Sequence, residues 1–92
     1  MYYVYMIRCL DESIYTGYTN NLEKRYKEHI RGKSCKYTGT KGVKRLETYF
    51  TFDTSTEARR VENFIKKQSK TKKEKIVQNP TKFKAEIEGK FA

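Results

Sequence analysis

Two residues able to handle phosphate and protons stand one helical turn apart. Arg25 carries a permanent guanidinium, and His29, the only histidine, a titratable imidazole. They lie beside the apolar residues Leu22, Tyr26 and Ile30, which recur at helical intervals. A third candidate, Glu62, borders a second such stripe, Ala58, Val61 and Ile65, roughly 70° from its centre at about 100° per residue. Tyr5 and Tyr15 fall in successive strand-like runs that a hairpin would bring within reach of each other. Taken singly, each residue has a plainer reading. Glu62 can pair with Lys66 along its helix for a few tenths of a kcal/mol, a lone histidine is more often a hydrogen-bond partner, and tyrosines are usually core.

The elements that must position these side chains are legible from periodicity and turn chemistry. From Tyr2 to Cys9, Tyr3, Tyr5, Ile7 and Cys9 alternate with Val4, Met6 and Arg8, which is a strand pattern. Leu10 to Ser13 supplies a turn and Ile14 to Tyr18 resumes the pattern, so residues 2–18 read as a hairpin. Thr19, Asn20 or Asn21 caps a helix that ends at Gly32, and residues 33–42 read as a basic loop. A strand is expected from Val43 or Lys44 to Phe52. The capping box Thr54-x-x-Glu57 then opens a helix reaching Lys67 or Gln68. A second box, Thr71-x-x-Glu74, opens a short helix that stops before Asn79-Pro80. Residues 80–92 carry Phe83, Ile87 and Phe91 and are expected as a loosely docked helix or a tail. The fold class is therefore α+β: a three-stranded antiparallel sheet flanked by helices in the order β-β-α-β-α-α. One domain is expected over 1–92, with its core at about 2–78.

Charge points to the partner. The chain has 21 Lys and Arg against 11 Asp and Glu, a net +10 on 92 residues. Such a surface attracts polyanions, nucleic acid first among them, because each neutralised phosphate releases condensed counterions. Nine Lys or Arg lie between Lys24 and Arg45 with Glu28 as the only acid, and eight Lys between Lys66 and Lys84 with only Glu74. Two such segments would grip a phosphate backbone from both sides of a cleft, although a lysine-rich helix is commonly just a solvated face. The longest apolar run, Tyr2 to Ile7, falls far short of the roughly 20 residues of a membrane span. No secretory pattern opens the chain, so a cytoplasmic location is expected. Cys9 and Cys35 read as small packing residues, and without Cys-x-x-Cys spacing a zinc site lacks ligands.

In combination these residues resemble a family. Tyr3-Val4-Tyr5, nine residues, then Tyr15-Thr16-Gly17, Arg25-x-x-x-His29, Lys36-Tyr37-Thr38 and Glu57-Ala58-x-x-x-Glu62-x-x-Ile65-Lys66-Lys67 resemble the GIY-YIG nuclease superfamily. The likeness runs through most of residues 2–68 and is nearest to the short, stand-alone bacterial members. Tyr3 stands where the first motif has glycine and Thr16 where the second has isoleucine. The asparagine that many members carry after the glutamate helix has only Asn79 as a candidate, at an unmatched spacing.

The resemblance implies endonuclease-type, metal-dependent hydrolysis of phosphodiesters, in DNA ahead of RNA, with low sequence specificity, by a monomer working in genome maintenance such as DNA repair. It implies that Glu62 binds one Mg²⁺ or Mn²⁺ and that Arg25 meets the charge growing on phosphate. Tyr5 is then the general base or water-orienting group, Tyr15 its partner, and His29 the residue that accepts the proton or holds the tyrosine. Arg25, the metal and the positive field are expected to draw Tyr5 toward phenolate. Gly17 would let the backbone pass close to substrate or into the following helix. Lys24, Arg31, Lys33, Lys36, Tyr37, Lys66 and Lys67 are the expected nucleic-acid contacts. The competing expectation is a non-catalytic, basic DNA- or RNA-binding module that keeps the fold.

Overall fold

The computed structural model describes residues 1–91, apart from the side chain of Phe91. Expectations for that side chain and for residue 92 lie outside the described residues. The order is β1 Tyr2–Cys9, β2 Ile14–Thr19, α1 Leu22–Ile30, α2 Lys36–Lys41, β3 Val43–Phe52, α3 Ser55–Lys66, α4 Lys70–Gln78 and α5 Pro80–Phe91. The α+β class and the three-stranded antiparallel sheet stand as the sequence predicts. The strand order is β2-β1-β3, so β1 is central and both its neighbours are edges.

The register assigns the two faces of β1 to different tasks. Tyr5 pairs with Gly17, Ile7 with Tyr15 and Tyr3 with Thr19, while Val4 pairs with Tyr18 and Met6 with Thr16. Paired residues share a face of the sheet. On one face Val4, Met6, Ile14 and Phe50 pack with Ala58, Val61 and Ile65 of α3, Ile76 of α4, and Phe83 and Ile87 of α5 into the main core. The other face carries Tyr5 and Tyr15 against His29 of α1. Residues 80–91 thus form a helix that buries Phe83 and Ile87.

Four local expectations are corrected. Residues 33–42 are not all loop: Lys36–Lys41 form α2, which ends at Gly42 with φ 77°. Thr38, Gly39 and Thr40 have poor helix propensity, so tertiary contacts rather than local preference hold this turn. The buried side of α1 is not Leu22, Tyr26 and Ile30. Ile30 is 58% exposed and His29 is buried, so the inward face runs through Leu22, Arg25, Tyr26 and His29. The cap of α4 is Ser69, whose hydroxyl accepts the Lys72 amide at 3.1 Å, because Glu74 is turned away to Arg8. The element order gains α2 over the six elements expected, and of the two alternatives for the C-terminal residues the docked helix, α5, is the one formed. Elsewhere the capping signals hold: Asn21 accepts from the Lys24 amide, and Thr54 accepts from the Glu57 amide.

Candidate active site

Central strand, edge strand and first helix converge on Tyr5. Its side chain is buried, and its hydroxyl lies 2.8 Å from His29 Nε2. The ring of Tyr15 sits 6.3 Å from that of Tyr5 and 5.1 Å from the imidazole, so the hairpin does bring the two phenols together. They meet diagonally, since Tyr15 is opposite Ile7 rather than Tyr5.

Gly17 makes this possible. A Cβ at position 17 would fall 2.5 Å from the Tyr5 hydroxyl oxygen and 2.8 Å from its ring carbon. The hydroxyl occupies the space that any other side chain would fill. Gly17→Ala is therefore expected to push Tyr5 off His29, to cost about 1–3 kcal/mol by overpacking, and to lower any activity that needs the pair by more than tenfold. Thermal melting and turnover of the variant check both.

Arg25 lies on the same helix face, near enough for its charge to act on the Tyr5 hydroxyl, and pairs with Glu28 at 3.3 Å. Arg25 pulls the hydroxyl toward phenolate, the direction expected of it, against larger opposing forces. Burial and neighbouring Tyr15 push the hydroxyl well above its ordinary range, and the opposing pull of Arg25 does not offset them. Tyr15 is likewise pushed up to about 12, chiefly by burial, with Cys35 and Glu62 adding to it.

His29 is driven the other way, from 6.5 down to about 4, by burial first and then by Arg25, with Glu28 opposing. It is a neutral imidazole at pH 7. The sign for stability follows from linkage: the unfolded chain takes up this proton near pH 6.5 and the folded one only near pH 4. Stability is therefore full above about pH 6.5, declines as pH falls toward 4, and is flat below that as far as this group is concerned. The loss amounts to roughly 3 kcal/mol at most. Urea titrations across pH 4–7 should display this slope, and His29→Gln should flatten it.

The other nitrogen of the ring, Nδ1, lies 2.7 Å from Thr38 Oγ1, and Thr38 in turn lies 3.3 Å from Cys35 Sγ. Burial pushes the Cys35 thiol up, but hydrogen bonds from Thr38, Tyr15 and the Tyr37 backbone together bring it below its usual value. The ring of Tyr37 packs 5.7 Å from Tyr15, and Lys41 Nζ lies 5.0 Å from the centre of the Tyr37 ring. Short helix α2 thereby closes the site. The residues Thr38 and Cys35 were missed as site members; Lys36-Tyr37-Thr38 stood out only through resemblance.

Glu62, on α3, is close enough to Tyr15 to raise its pKa, and its side chain is only 13% exposed. It also makes the plainer contact, with Lys66 at 3.5 Å. Among the described residues no three of His, Cys, Asp and Glu converge as a metal cage. A lone carboxylate suits Mg²⁺ or Mn²⁺, which keep several waters and take the remaining ligands from substrate phosphate; it does not suit an ion that needs an all-protein site. Lys24, Arg31, Lys33, Lys36 and Lys67 are exposed and have no carboxylate partner among the described residues, whereas Lys66 is engaged with Glu62.

This combination of fold and residues agrees with the comparisons. Residues 1–75 match the GIY-YIG catalytic domain, and the chain belongs to that family. Membership supports a nuclease-type function and a nucleic-acid substrate in general terms. Within the family its relatives are small UPF0213 proteins. The chain is 45% identical over 87 residues to the UPF0213 protein FN1575 of Fusobacterium nucleatum, covering 95% of this chain and 87% of that one. It is 44% identical over 77 residues to CPE1444 of Clostridium perfringens, covering 84% and 83%. The solution NMR structure of the UPF0213 protein BH0048 from Bacillus halodurans superposes with a TM-score of 0.56 at 43% identity, covering 85% of this chain and 84% of that one. These names state no substrate. No helix among the described residues is long and apolar enough to cross a membrane.

Proposed function

We propose that this protein is a metal-dependent nuclease that hydrolyses phosphodiester bonds within nucleic acid, DNA ahead of RNA, with little sequence preference of its own. The observation that carries the reading is the 2.8 Å contact between Tyr5 and His29, with Tyr15, Arg25 and Glu62 gathered around it. A buried phenol–imidazole pair has no packing advantage over two apolar residues. Around an incoming water it supplies a proton path.

Neither Tyr5 nor His29 is alone a strong base at neutral pH. Acting in concert they need not be. Tyr5 takes the water proton as its own moves to His29 Nε2, so a full phenolate never has to accumulate in the buried site. Arg25 directs its donors at the phosphate as negative charge grows. Glu62 would hold the divalent cation, whose chemistry when bound is to polarise the phosphate and to stabilise the leaving oxygen. Exposed Lys24, Arg31, Lys33, Lys36 and Lys67 would fix the register of the backbone without reading bases, and Tyr37 would border the site.

The Glu62–Lys66 pair favours a second reading, in which the carboxylate is only an ion-pair partner and the domain binds nucleic acid without cutting it. Incubation of the protein with labelled DNA and RNA of single-stranded, duplex and branched form, with Mg²⁺, with Mn²⁺ and with chelator, separates the two. Cleavage that requires metal supports the nuclease. Salt-sensitive binding that ignores metal, with no cleavage of any substrate, supports the binding module.

A further inference from the structure

The hydrogen bonds around Tyr5 have a direction, and one end of the chain fixes it. Arg25, whose charge acts on the Tyr5 hydroxyl, has donors and no acceptor, so the phenol turns its oxygen lone pairs and not its proton toward the guanidinium. Tyr5 is buried and must send its own proton elsewhere; the acceptor within reach is His29 Nε2, at 2.8 Å. A neutral imidazole carries one proton, and with Nε2 accepting, that proton is on Nδ1. Nδ1 faces Thr38 Oγ1 at 2.7 Å, which accepts it and passes its own hydroxyl proton to Cys35 Sγ at 3.3 Å. The three hydrogen bonds from Tyr5 through His29 and Thr38 to Cys35 then all run in one direction.

We propose that Thr38 is a positioning residue that locks His29 in the Nδ1–H tautomer and so keeps Nε2 open to receive the Tyr5 proton. Thr38 touches neither the phenol nor any reacting atom, and it acts only through the imidazole. Its burial at 1% exposure leaves no water to take its place, and α2 exists in this position largely because its Thr38 and Tyr37 reach His29 and Tyr15. Without the Thr38 oxygen, Nδ1–H would be a buried donor with no partner, which is unfavourable. The ring would escape that cost by carrying its proton on Nε2, where it would donate to Tyr5 and close the proton path. The proposal rests on the nuclease reading for its catalytic meaning, though the tautomer itself is a property of the free protein.

The test exploits the single histidine, whose two ring nitrogens give an unambiguous ¹⁵N spectrum. In the wild-type protein at pH 7, Nδ1 should resonate as the protonated nitrogen and Nε2 as the bare one. Thr38→Val, nearly isosteric but lacking the hydroxyl, should move the proton to Nε2 or mix the tautomers, and should lower kcat by about 10- to 100-fold with KM nearly unchanged. Thr38→Ser should restore the wild-type spectrum and most of the rate. A wild-type ring protonated on Nε2, or a folded Thr38→Val protein that keeps the Nδ1–H spectrum, would overturn the proposal. The spectrum is read without substrate, so a wild-type protein that cuts nothing but responds as described supports the tautomer lock while removing the nuclease reading.

Discussion

Glu62→Gln is expected to lower metal-dependent cleavage by about 10³-fold while changing the melting temperature by little. The substitution keeps the size and hydrogen-bonding outline of the side chain and removes its charge. Charge is what an Mg²⁺ ion recognises, and among the described residues no cluster of three ligand-type side chains stands ready to hold the ion in its place. About 10³ in rate is roughly 4 kcal/mol of transition-state stabilisation, the usual scale for losing one well-placed electrostatic partner. Stability should hardly respond, because the lost Glu62–Lys66 contact is a helical i, i+4 pair worth a few tenths of a kcal/mol. Single-turnover cleavage at saturating Mn²⁺, with a melt of the same preparation, reads both quantities. A variant that cuts as well as the parent would remove Glu62 from the chemistry.

The largest expected effect on folding lies on the face of the sheet turned away from Tyr5. Arg8 is 7% exposed, and its guanidinium is fully used. Nε donates to Glu47 at 2.9 Å, Nη1 and Nη2 donate to Glu74 at 2.5 and 2.7 Å, and Nη1 also donates to the Glu12 carbonyl at 2.9 Å. Those bonds to Glu74 hold its carboxyl down to about 2, with Lys70 assisting. Arg8→Ala would leave the Glu47 carboxylate, only 11% exposed at the side chain, with Arg45 as its remaining partner, and would untie Glu74 and with it α4 from the sheet. Removing one partner of such a pair costs about 3–5 kcal/mol, which on a domain this size lowers the melting point by more than about 12 °C. Because the folded-state pKa of Glu74 lies below the ordinary 4.5, its contribution is complete above about pH 4.5 and fades as pH falls toward 2. Chemical denaturation of wild type and variant at pH 7 and pH 3 should therefore give a smaller difference at the lower pH.

The contrast between these two sites explains what the sequence could reveal. Tyr5 and Tyr15 were readable because a period of two assigns whole strands to faces, and a hairpin then brings the faces together. Arg25 and His29 were readable as helical neighbours. Their orientation was not, because Leu22, Tyr26 and Ile30 made a better apolar stripe on paper than the polar one the sheet accepts, and only a partner for the imidazole makes burying His29 favourable. That partner sits on six residues whose propensities argue against a helix, so α2 could not be inferred from its own composition. Arg8 and Glu74 are 66 positions apart, and nothing local marks their union.

Short helix α2 also bears on when the site exists at all. It spans six residues, has no side-chain cap, and holds to the rest of the molecule through Thr38 on His29, Tyr37 on Tyr15 and the part-exposed Lys41–Asp11 ion pair. Segments of this kind open at a smaller free energy than the domain unfolds, so the protein samples a sub-globally open state in which the sheet and the α3–α5 core persist. In that state the imidazole is wetted and free to rotate. The arrangement around Tyr5 is therefore expected to follow a local folding equilibrium superimposed on the global one, and to be lost on warming before the fold is.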